Sequence, residues 1–365
     1  MTSTFVCLMF TALAAEPAFD WPAVVQQPYE ASDSQGPFLS KLLGARSGEK
    51  IDTPAEWETE RRRLSTAWRA RLGKSPGVPR QLDVEVLETT TLADHARRLV
   101  RFRTEGDDRL RTYLLIPKGL KTGERRPVVV VFHQTNTVTF REPVGLAGDK
   151  QSALALELVR RGYVTLSPEC YLLKGKGPLE QAKVLAARRP GWTGLGKVTF
   201  DASRCVDFLE TVPEVDRARI GCIGHSLGAK EVLFAMALEP RYRAGVFSEG
   251  GIGLSMSNWT DPWYLTAAMN EHRKTLDNHQ VLALAAPRPL LVIAGNSADT
   301  AASWSYVREA RTVYRLLGAG NRVGFYNHGR GHVLPPPARD LAYRWLDDWL
   351  DFSPMKLPSP TRSDP

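Results

Sequence analysis

Between Arg126 and His133 the chain reads RPVVVVFH, an unbroken apolar run that ends in an imidazole. Such a run predicts a strand covered on both faces, as in a parallel sheet. Runs of the same kind predict further strands at Gly162–Glu169, Arg219–His225, Ala244–Gly250, Pro289–Gly295 and Arg322–His328. Helical stretches fall between them, at Gln151–Arg161, Thr199–Val212, Ser226–Leu238 and Tyr306–Leu317. Near the end, Leu341, Trp345, Trp349 and Phe352 keep helical spacing. Upstream the pattern is different. Leu82–Glu88, Arg97–Thr104 and Leu110–Pro117 read as strands, and the Arg101-Phe102-Arg103 alternation gives one of them a wet face. EGDD turns between the second and third, so these three form an antiparallel meander. Before them, Asp52–Leu72 predicts a helix with Asp52 or Thr53 as N-cap and Pro54 in its first turn. Its Trp57, Leu64, Trp68 and Leu72 share a face and are expected to cover the sheet. The pattern predicts an α/β fold: a mostly parallel sheet with antiparallel N-terminal strands and helices on both faces.

The chain has 365 residues, 43% hydrophobic and 24% charged, which suits one large domain with an extension. Residues 82–352 are expected to form that domain, 16–81 a helical extension and 353–365 a Pro/Ser-rich flexible tail. The net charge is +8, but the basic residues are scattered, with short clusters at Arg61–Arg63 and Arg97–Arg103. Without a basic tract interleaved with aromatics, no nucleic-acid partner is expected. Phe5–Ala15 is a short apolar run closing on small residues, which reads as a signal peptide over 1–15 and predicts a periplasmic or secreted protein. It lacks a basic start, and it is too short to span a bilayer, so no stable membrane insertion is expected. Cys170, Cys205 and Cys222 are sparse and odd in number, which describes neither a disulfide scaffold nor a metal site.

Candidate chemistry centres on RIGCIGHSLGAKE, Arg219–Glu231. Gly-x-Ser-x-Gly occurs by chance about 0.1 times in a chain of this length. Here it ends an apolar run and opens a helical one, the context of a nucleophile on a sharp strand-to-helix turn. Ser226 is the candidate nucleophile, with Gly224 and Gly228 where neighbouring backbones crowd. The base is expected after the last strand. His332 sits in a flexible Gly-Arg-Gly loop and is preferred over His328, which closes the strand. Two acids keep the order nucleophile, acid, histidine. Position favours Asp299, after the Pro289–Gly295 strand; Glu249, at the end of the preceding strand, is the alternative. An oxyanion hole is expected from the backbone N–H of Leu227 and from Gln134 or Thr135, with His133 shaping the latter loop. Lys230, one helical turn beyond Ser226, is a candidate substrate contact or one side of a first-turn salt bridge.

Taken together, these residues resemble the α/β-hydrolase superfamily, and more narrowly its dienelactone hydrolase and acetyl-xylan-esterase-like branch. The resemblance runs from LRTYLLIP to the final helix. It rests on FHQT at Phe132–Thr135, EPVGLAG at Glu142–Gly148, RRGYVTLSPE, GHSLGAKE, SEGGIGL, APRPLLVIAG, SAD and NHGRGH. It implies the α/β-hydrolase fold and the triad Ser226, Asp299 and His332. Pro168-Glu169 stands where those relatives carry Pro-Asp. The chain also resembles glucuronoyl esterases, in which a lysine follows the elbow and a glutamate follows the next strand; Lys230 and Glu249 fit, but Gly-His-Ser-Leu-Gly replaces their Cys-Ser-Arg pattern. The expected activity is serine ester hydrolysis through an acyl-enzyme, on carbohydrate esters or other small esters and lactones, without metal or organic cofactor. Rivals are a glucuronoyl-esterase-like enzyme with Glu249 as acid and a non-catalytic binding protein of the same fold. A propeller-bearing peptidase is excluded, because too few residues precede RPVVVVFH to hold a propeller. Ser167–Lys197 and Ser255–Leu265 are expected to wall the pocket, where Trp192, Trp259 and Trp263 either stack on sugars or pack the loops.

Overall fold

The computed structural model describes residues 19–28, 39–44 and 50–354. The expected signal peptide and nearly all of the expected tail lie outside these residues. In chain order the elements are α1 (Trp21–Val25), α2 (Pro54–Leu72), β1 (Glu85–Thr91), β2 (His95–Glu105), β3 (Asp108–Pro117), β4 (Arg126–Phe132), α3 (Leu154–Arg160) and β5 (Val164–Pro168). They continue with α4 (Pro178–Arg188), α5 (Gly194–Leu209), β6 (Val215–His225), α6 (Leu227–Leu238), β7 (Tyr242–Ser248), α7 (Asn278–Leu284), β8 (Leu290–Ala294), α8 (Trp304–Leu316), β9 (Val323–Asn327) and α9 (Pro336–Trp349). The strands form one sheet in the order β1-β2-β3-β5-β4-β6-β7-β8-β9. β1, β2 and β3 are an antiparallel meander. β3 meets β5 antiparallel, and from β5 to β9 every pairing is parallel.

β4 shows why this sequence makes a three-layered fold. Val128 and Val130 enter the core shared with α2, α5, α6, α7 and α8. Val129 and Val131 enter the opposite core, with α1, α3 and α9. A strand with apolar residues at both parities needs cover on both faces, and the alternating helices supply it. α2 lies in the first of these layers. The Thr53 hydroxyl accepts the Glu56 N–H while the Glu56 carboxylate returns to the Thr53 N–H, so the capping box fixes its start. Trp57, Leu64, Trp68 and Leu72 are buried as the spacing predicted, and the Trp68 indole donates to Gln280 at the edge of α7.

Two elements depart from the sequence reading. β1 starts three residues later than expected, because Asp83 takes a left-handed φ of 46° and pairs with Arg103 instead of extending the strand. The long connection Ser167–Lys197 holds α4, whose Pro178 opens the helix and whose Leu185 docks into the α5 side of the core.

All parallel strands end at one edge of the sheet, and β6 crosses its middle there. The two glycines around Ser226 are sterically required. A Cβ on Gly228 would lie 2.1 Å from the Phe132 carbonyl oxygen, and one on Gly224 would lie 2.3 Å from the Gly228 carbonyl. Both neighbours are backbone and cannot swing away. Gly228→Ala is therefore expected to cost about 1–3 kcal/mol or more. Urea unfolding of the variant checks this, and a midpoint equal to wild type would contradict it.

Candidate active site

Ser226 stands between β6 and α6 with φ 57° and ψ −117°. A non-glycine residue in this region costs about 1–3 kcal/mol unless its surroundings hold it. Here its N–H donates to the Ser248 carbonyl at 2.8 Å, and Ala229 N–H returns to the Ser226 carbonyl at 3.1 Å as α6 begins. The hydroxyl is thereby lifted over the sheet edge. It donates to His332 Nε2 at 2.9 Å.

The opposite ring nitrogen, Nδ1, donates to Glu249 Oε2 at 3.2 Å. Glu249 is fully buried and follows β7 with φ 53°. Its carboxylate also accepts Ala298 N–H at 2.8 Å and Gly295 N–H. Burial works to raise its pKa, but the His332 hydrogen bond and the two amides outweigh it and hold the group below the usual carboxylate range.

Asp299, favoured as the acid from its position, is not on the imidazole. It too is fully buried, but its oxygens accept Gly251 N–H and Ile252 N–H, each at 2.7 Å, and the Ser303 hydroxyl at 2.9 Å. Two of these three donors belong to the loop after β7, so the carboxylate is turned toward that loop, while His332 Nδ1 meets Glu249. Burial pushes its carboxyl up to about 6, against the pull of the Ile252, Ser303 and Gly251 donors. The two acids thus form a reciprocal clasp. Glu249 is held by amides of the loop that carries Asp299, and Asp299 by amides of the loop that carries Glu249.

The histidine loop is tied to the same clasp. The Gly331 N–H donates to the Gly295 carbonyl at 2.6 Å, and a Cβ on Gly295 would strike that Gly331 backbone at 2.0 Å. Below the loop, the buried His225 ring lies 4.8 Å from the His332 ring and pairs through Nδ1 with Ser248 Oγ at 3.0 Å. Burial, then the adjacent His332, pulls His225 down to about 4, so it stays neutral beside the relay. His328 lies outside the relay: its Nδ1 accepts the Arg330 N–H at 3.1 Å.

The loop after β4, expected to complete an oxyanion hole, is fixed from two sides. His133 accepts the Cys170 N–H at Nε2 (3.1 Å) and donates from Nδ1 to the Gln134 carbonyl (2.8 Å), which sets its tautomer. Burial holds it neutral, with a pKa of about 4. The second support is Glu142, which sequence reasoning missed although it opens EPVGLAG. Buried, it accepts Gln134 Nε2 at 3.0 Å, Asn136 Nδ2 at 2.7 Å and Asp149 N–H at 3.2 Å. Gly148 packs so close to this carboxylate that a Cβ would sit 2.7 Å from Oε1. A glutamate followed by proline and a stretch with glycines at 145 and 148 was the available signal. Leu227, the other expected donor, opens α6 directly after Ser226, so its N–H lies at a helix N-terminus.

Lys230 makes no first-turn ion pair. It is buried, donating to the Gly250 carbonyl at 2.6 Å and Ser257 Oγ at 2.8 Å, with its ammonium 4.4 Å from the centre of the Trp259 ring. Burial pulls it down to about 7, against the charges of Asp299 and Asp261. Glu169, the acidic residue after β5, takes a bidentate contact from Arg111. Trp192 and Trp259 are buried packing residues, and Trp263 is half-buried. A cavity of about 620 Å³, including its open mouth, lies beside His332. It is lined by residues of 131–154 and by His225 and His332–Leu334. Ser167–Lys197 and Ser255–Leu265 do not line it, because they dock on the α5 and α6 side of the sheet. Among the described residues, no cluster of His, Cys, Asp and Glu is placed to hold a metal ion, and Cys170, Cys205 and Cys222 are buried free thiols. No helix among them is long and apolar enough to cross a membrane.

Known proteins place this geometry in a family. The chain is 26% identical over 190 residues to the carbohydrate esterase MZ0003 of an unknown prokaryotic organism, a match covering 44% of each protein. It is 31% identical over 159 residues to 4-O-methyl-glucuronoyl methylesterase 1 of Sodiomyces alcalophilus, covering 36% of this chain and 32% of that protein. The matches thus span less than half the length of these curated relatives. Among solved structures, a glucuronoyl esterase from Solibacter usitatus superposes with a TM-score of 0.70 at 18% identity, covering 86% of this chain and 99% of that one. A glucuronoyl esterase from Teredinibacter turnerae T7901 gives 0.66 at 22% identity, with 85% and 89% covered. At these identities the structural likeness establishes the α/β-hydrolase fold. The dienelactone hydrolase family model matches residues 110–299, just over half of the chain, from β3 to Asp299. The chain belongs to the dienelactone hydrolase family.

Proposed function

We propose that this chain is a serine carboxylic-ester hydrolase that acts on carbohydrate esters through an acyl-enzyme. Ser226 is the nucleophile, His332 the general base and then acid, and Glu249 the carboxylate that orients the imidazole. The observation that carries this reading is the continuous relay from Ser226 Oγ through His332 to Glu249, at 2.9 and 3.2 Å. As Oγ attacks the ester carbonyl, its proton passes to His332 Nε2. The negative charge on the carbonyl oxygen faces the Leu227 N–H and the amides of Gln134 and Thr135. When the acyl–oxygen bond breaks, His332 returns the proton to the leaving alcohol. A water molecule then repeats the sequence on the acyl-enzyme. The complete relay counts against a non-catalytic binding protein.

Within this class, the sharper proposal is an ester of a uronic acid. Glu249 rather than Asp299 on the histidine supports it, as do Lys230 one turn after the nucleophile and relatives named glucuronoyl methylesterase. Export is part of the same proposal, since carbohydrate polymer esters are met outside the cell.

Ser226→Ala is expected to abolish turnover of p-nitrophenyl acetate and of a methyl uronate ester. Glu249→Gln is expected to lower kcat by 10³–10⁴-fold, roughly the effect of losing the orienting carboxylate in a serine triad. Asp299→Asn is expected to keep kcat within about tenfold while lowering the melting temperature, since it loosens two loops rather than the imidazole. Steady-state kinetics decide this, and a larger kcat loss in Asp299→Asn would reverse the assignment.

Lys230 gives a pH signature of its own. Its folded pKa, about 7, lies below the ordinary 10.5. Between those values the unfolded chain holds a proton that the folded chain has lost, so this group's contribution to stability rises with pH across that window. The urea midpoint of wild type minus that of Lys230→Met is expected to increase from pH 7 to pH 9. A flat difference would show an ordinary lysine.

A further inference from the structure

The buried face of α2 accounts for Trp57, Leu64, Trp68 and Leu72, but not for the stripe beside it. Glu58, Arg61, Arg62, Ser65, Thr66 and Arg69 recur at i, i+3, i+4, i+7, i+8 and i+11, so they share a second face of the same helix. That face forms one wall of a groove of about 960 Å³, open mouth included. The end of α6, Pro240 and the end of α7 form the other wall. α6 begins directly after Ser226 and runs for 12 residues. The groove therefore lies at the far end of that helix, roughly 18 Å along its axis from the nucleophile.

Four guanidinium groups line this groove against a single carboxylate, that of Glu58, which Arg61 meets at 3.3 Å. Arg69 gives one N–H to the Leu238 carbonyl at 3.2 Å, and Arg62 gives one to Thr59 Oγ1 at 3.3 Å. Both are steadied in this way and keep further donors. The fourth group, Arg288, follows α7. Its Nη1 donates to the carbonyls of Glu239 and Tyr242, at 3.0 Å each, and its Nη2 is buried without a close hydrogen-bond partner. Burial lowers its pKa from 12.5 to about 10, which leaves it charged at neutral pH. The Glu239 carboxylate is taken by Arg241, at 2.8 Å from each oxygen. Arg288 is thus a desolvated cation held by carbonyl dipoles, and such a group favours a counter-ion. The rest of the lining has a different chemistry. Leu238, Pro240 and Leu284 offer C–H surface, and Ser65 and Thr66 bring hydroxyls.

We infer that this groove is a second carbohydrate site, which holds a free uronate unit of an acidic oligosaccharide away from the ester being cleaved. A uronate joins a planar carboxylate to a ring with a C–H face and several hydroxyls. The carboxylate pairs with Arg62 and Arg69, since a guanidinium fork matches its two oxygens, and it supplies the counter-charge for Arg288. The C–H face rests on Leu238 and Pro240, and Ser65 and Thr66 meet the hydroxyls. A neutral sugar would leave the guanidinium groups unpaired. An inorganic oxyanion would leave the apolar wall uncovered. The choice of a uronate rests on the uronic-acid-ester reading of the active site, whose hydrolysis product carries the same carboxylate. Holding the free acid at the far end of α6 tethers a partly de-esterified chain and raises the local concentration of its remaining esters.

Isothermal titration calorimetry of trigalacturonate into the Ser226→Ala protein reads the groove without turnover. Saturable binding is expected at low salt, and weaker binding at about 0.2 M salt, where the charges are screened. Adding Arg62→Ala and Arg69→Ala together is expected to weaken it at least about tenfold. Both side chains are exposed, so the fold is expected to survive, which an unchanged circular dichroism spectrum checks. Neutral maltotriose is expected not to bind. No binding of trigalacturonate, equal affinity in the double variant, or equal affinity for a sulfated trisaccharide overturns the inference. With Ser226 intact, the double variant is expected to raise KM about tenfold on partly methyl-esterified polygalacturonate and to leave a methyl uronate monoester unchanged. Equal effects on both substrates overturn the tether. An enzyme inert to every ester, with trigalacturonate binding intact and dependent on the two arginines, would instead sink the esterase reading and leave the groove standing.

Discussion

Two buried carboxylates, each held by the other's loop, organise the active edge of this sheet. Glu249 takes the amides of Gly295 and Ala298, and Asp299 takes those of Gly251 and Ile252. Hydrogen bonds to a charged acceptor are worth about 1.5–3 kcal/mol each, and a buried carboxylate without them would be strongly unfavourable. Neither loop can move without stripping a carboxylate of its donors. Gly295 extends the brace, since its N–H serves Glu249 and its carbonyl receives the loop of His332. The histidine is thus located by the backbone of its loop as well as by the His225 ring beneath its own.

The strain in the site follows the same geometry. Three neighbouring strands, β6, β7 and β8, are each followed by a non-glycine residue of left-handed φ: Ser226 at 57°, Glu249 at 53° and Asn296 at 65°. Each turns the chain sharply at the sheet edge and aims a polar side chain across it. The cost of such residues falls on a scaffold of parallel strands buried on both faces, which is where a fold can best absorb it. The buried imidazoles beneath stay neutral because they are desolvated, so His225 and His133 act as rigid props rather than as competing bases.

Much of this was legible in the chain. Unbroken apolar runs located the parallel strands, and the elbow was legible because only glycine fits at 224 and 228. His332 followed from its place in a glycine-flanked loop after the last strand. Which carboxylate meets His332 was not legible. Glu249 and Asp299 follow consecutive parallel strands, and both satisfy the order nucleophile, acid, histidine. What separates them is which backbone amides each carboxylate meets, and amides leave no trace in sequence. Glu142 was hidden for a similar reason, since its partners Gln134 and Asn136 lie in the preceding loop and only the fold turns them toward it. β1 was misplaced because alternation at 82–88 resembled a strand, while an ion pair of Asp83 bends the chain there.

The central claim is that Glu249, not Asp299, holds His332 in register with Ser226. The Nδ1 proton of His332, observed by NMR in protein labelled with nitrogen-15 histidine, reports that contact directly. A downfield Nδ1–H resonance is predicted in wild type, retained in Asp299→Asn and lost or moved strongly upfield in Glu249→Gln. A resonance that survives Glu249→Gln and disappears in Asp299→Asn would contradict the account.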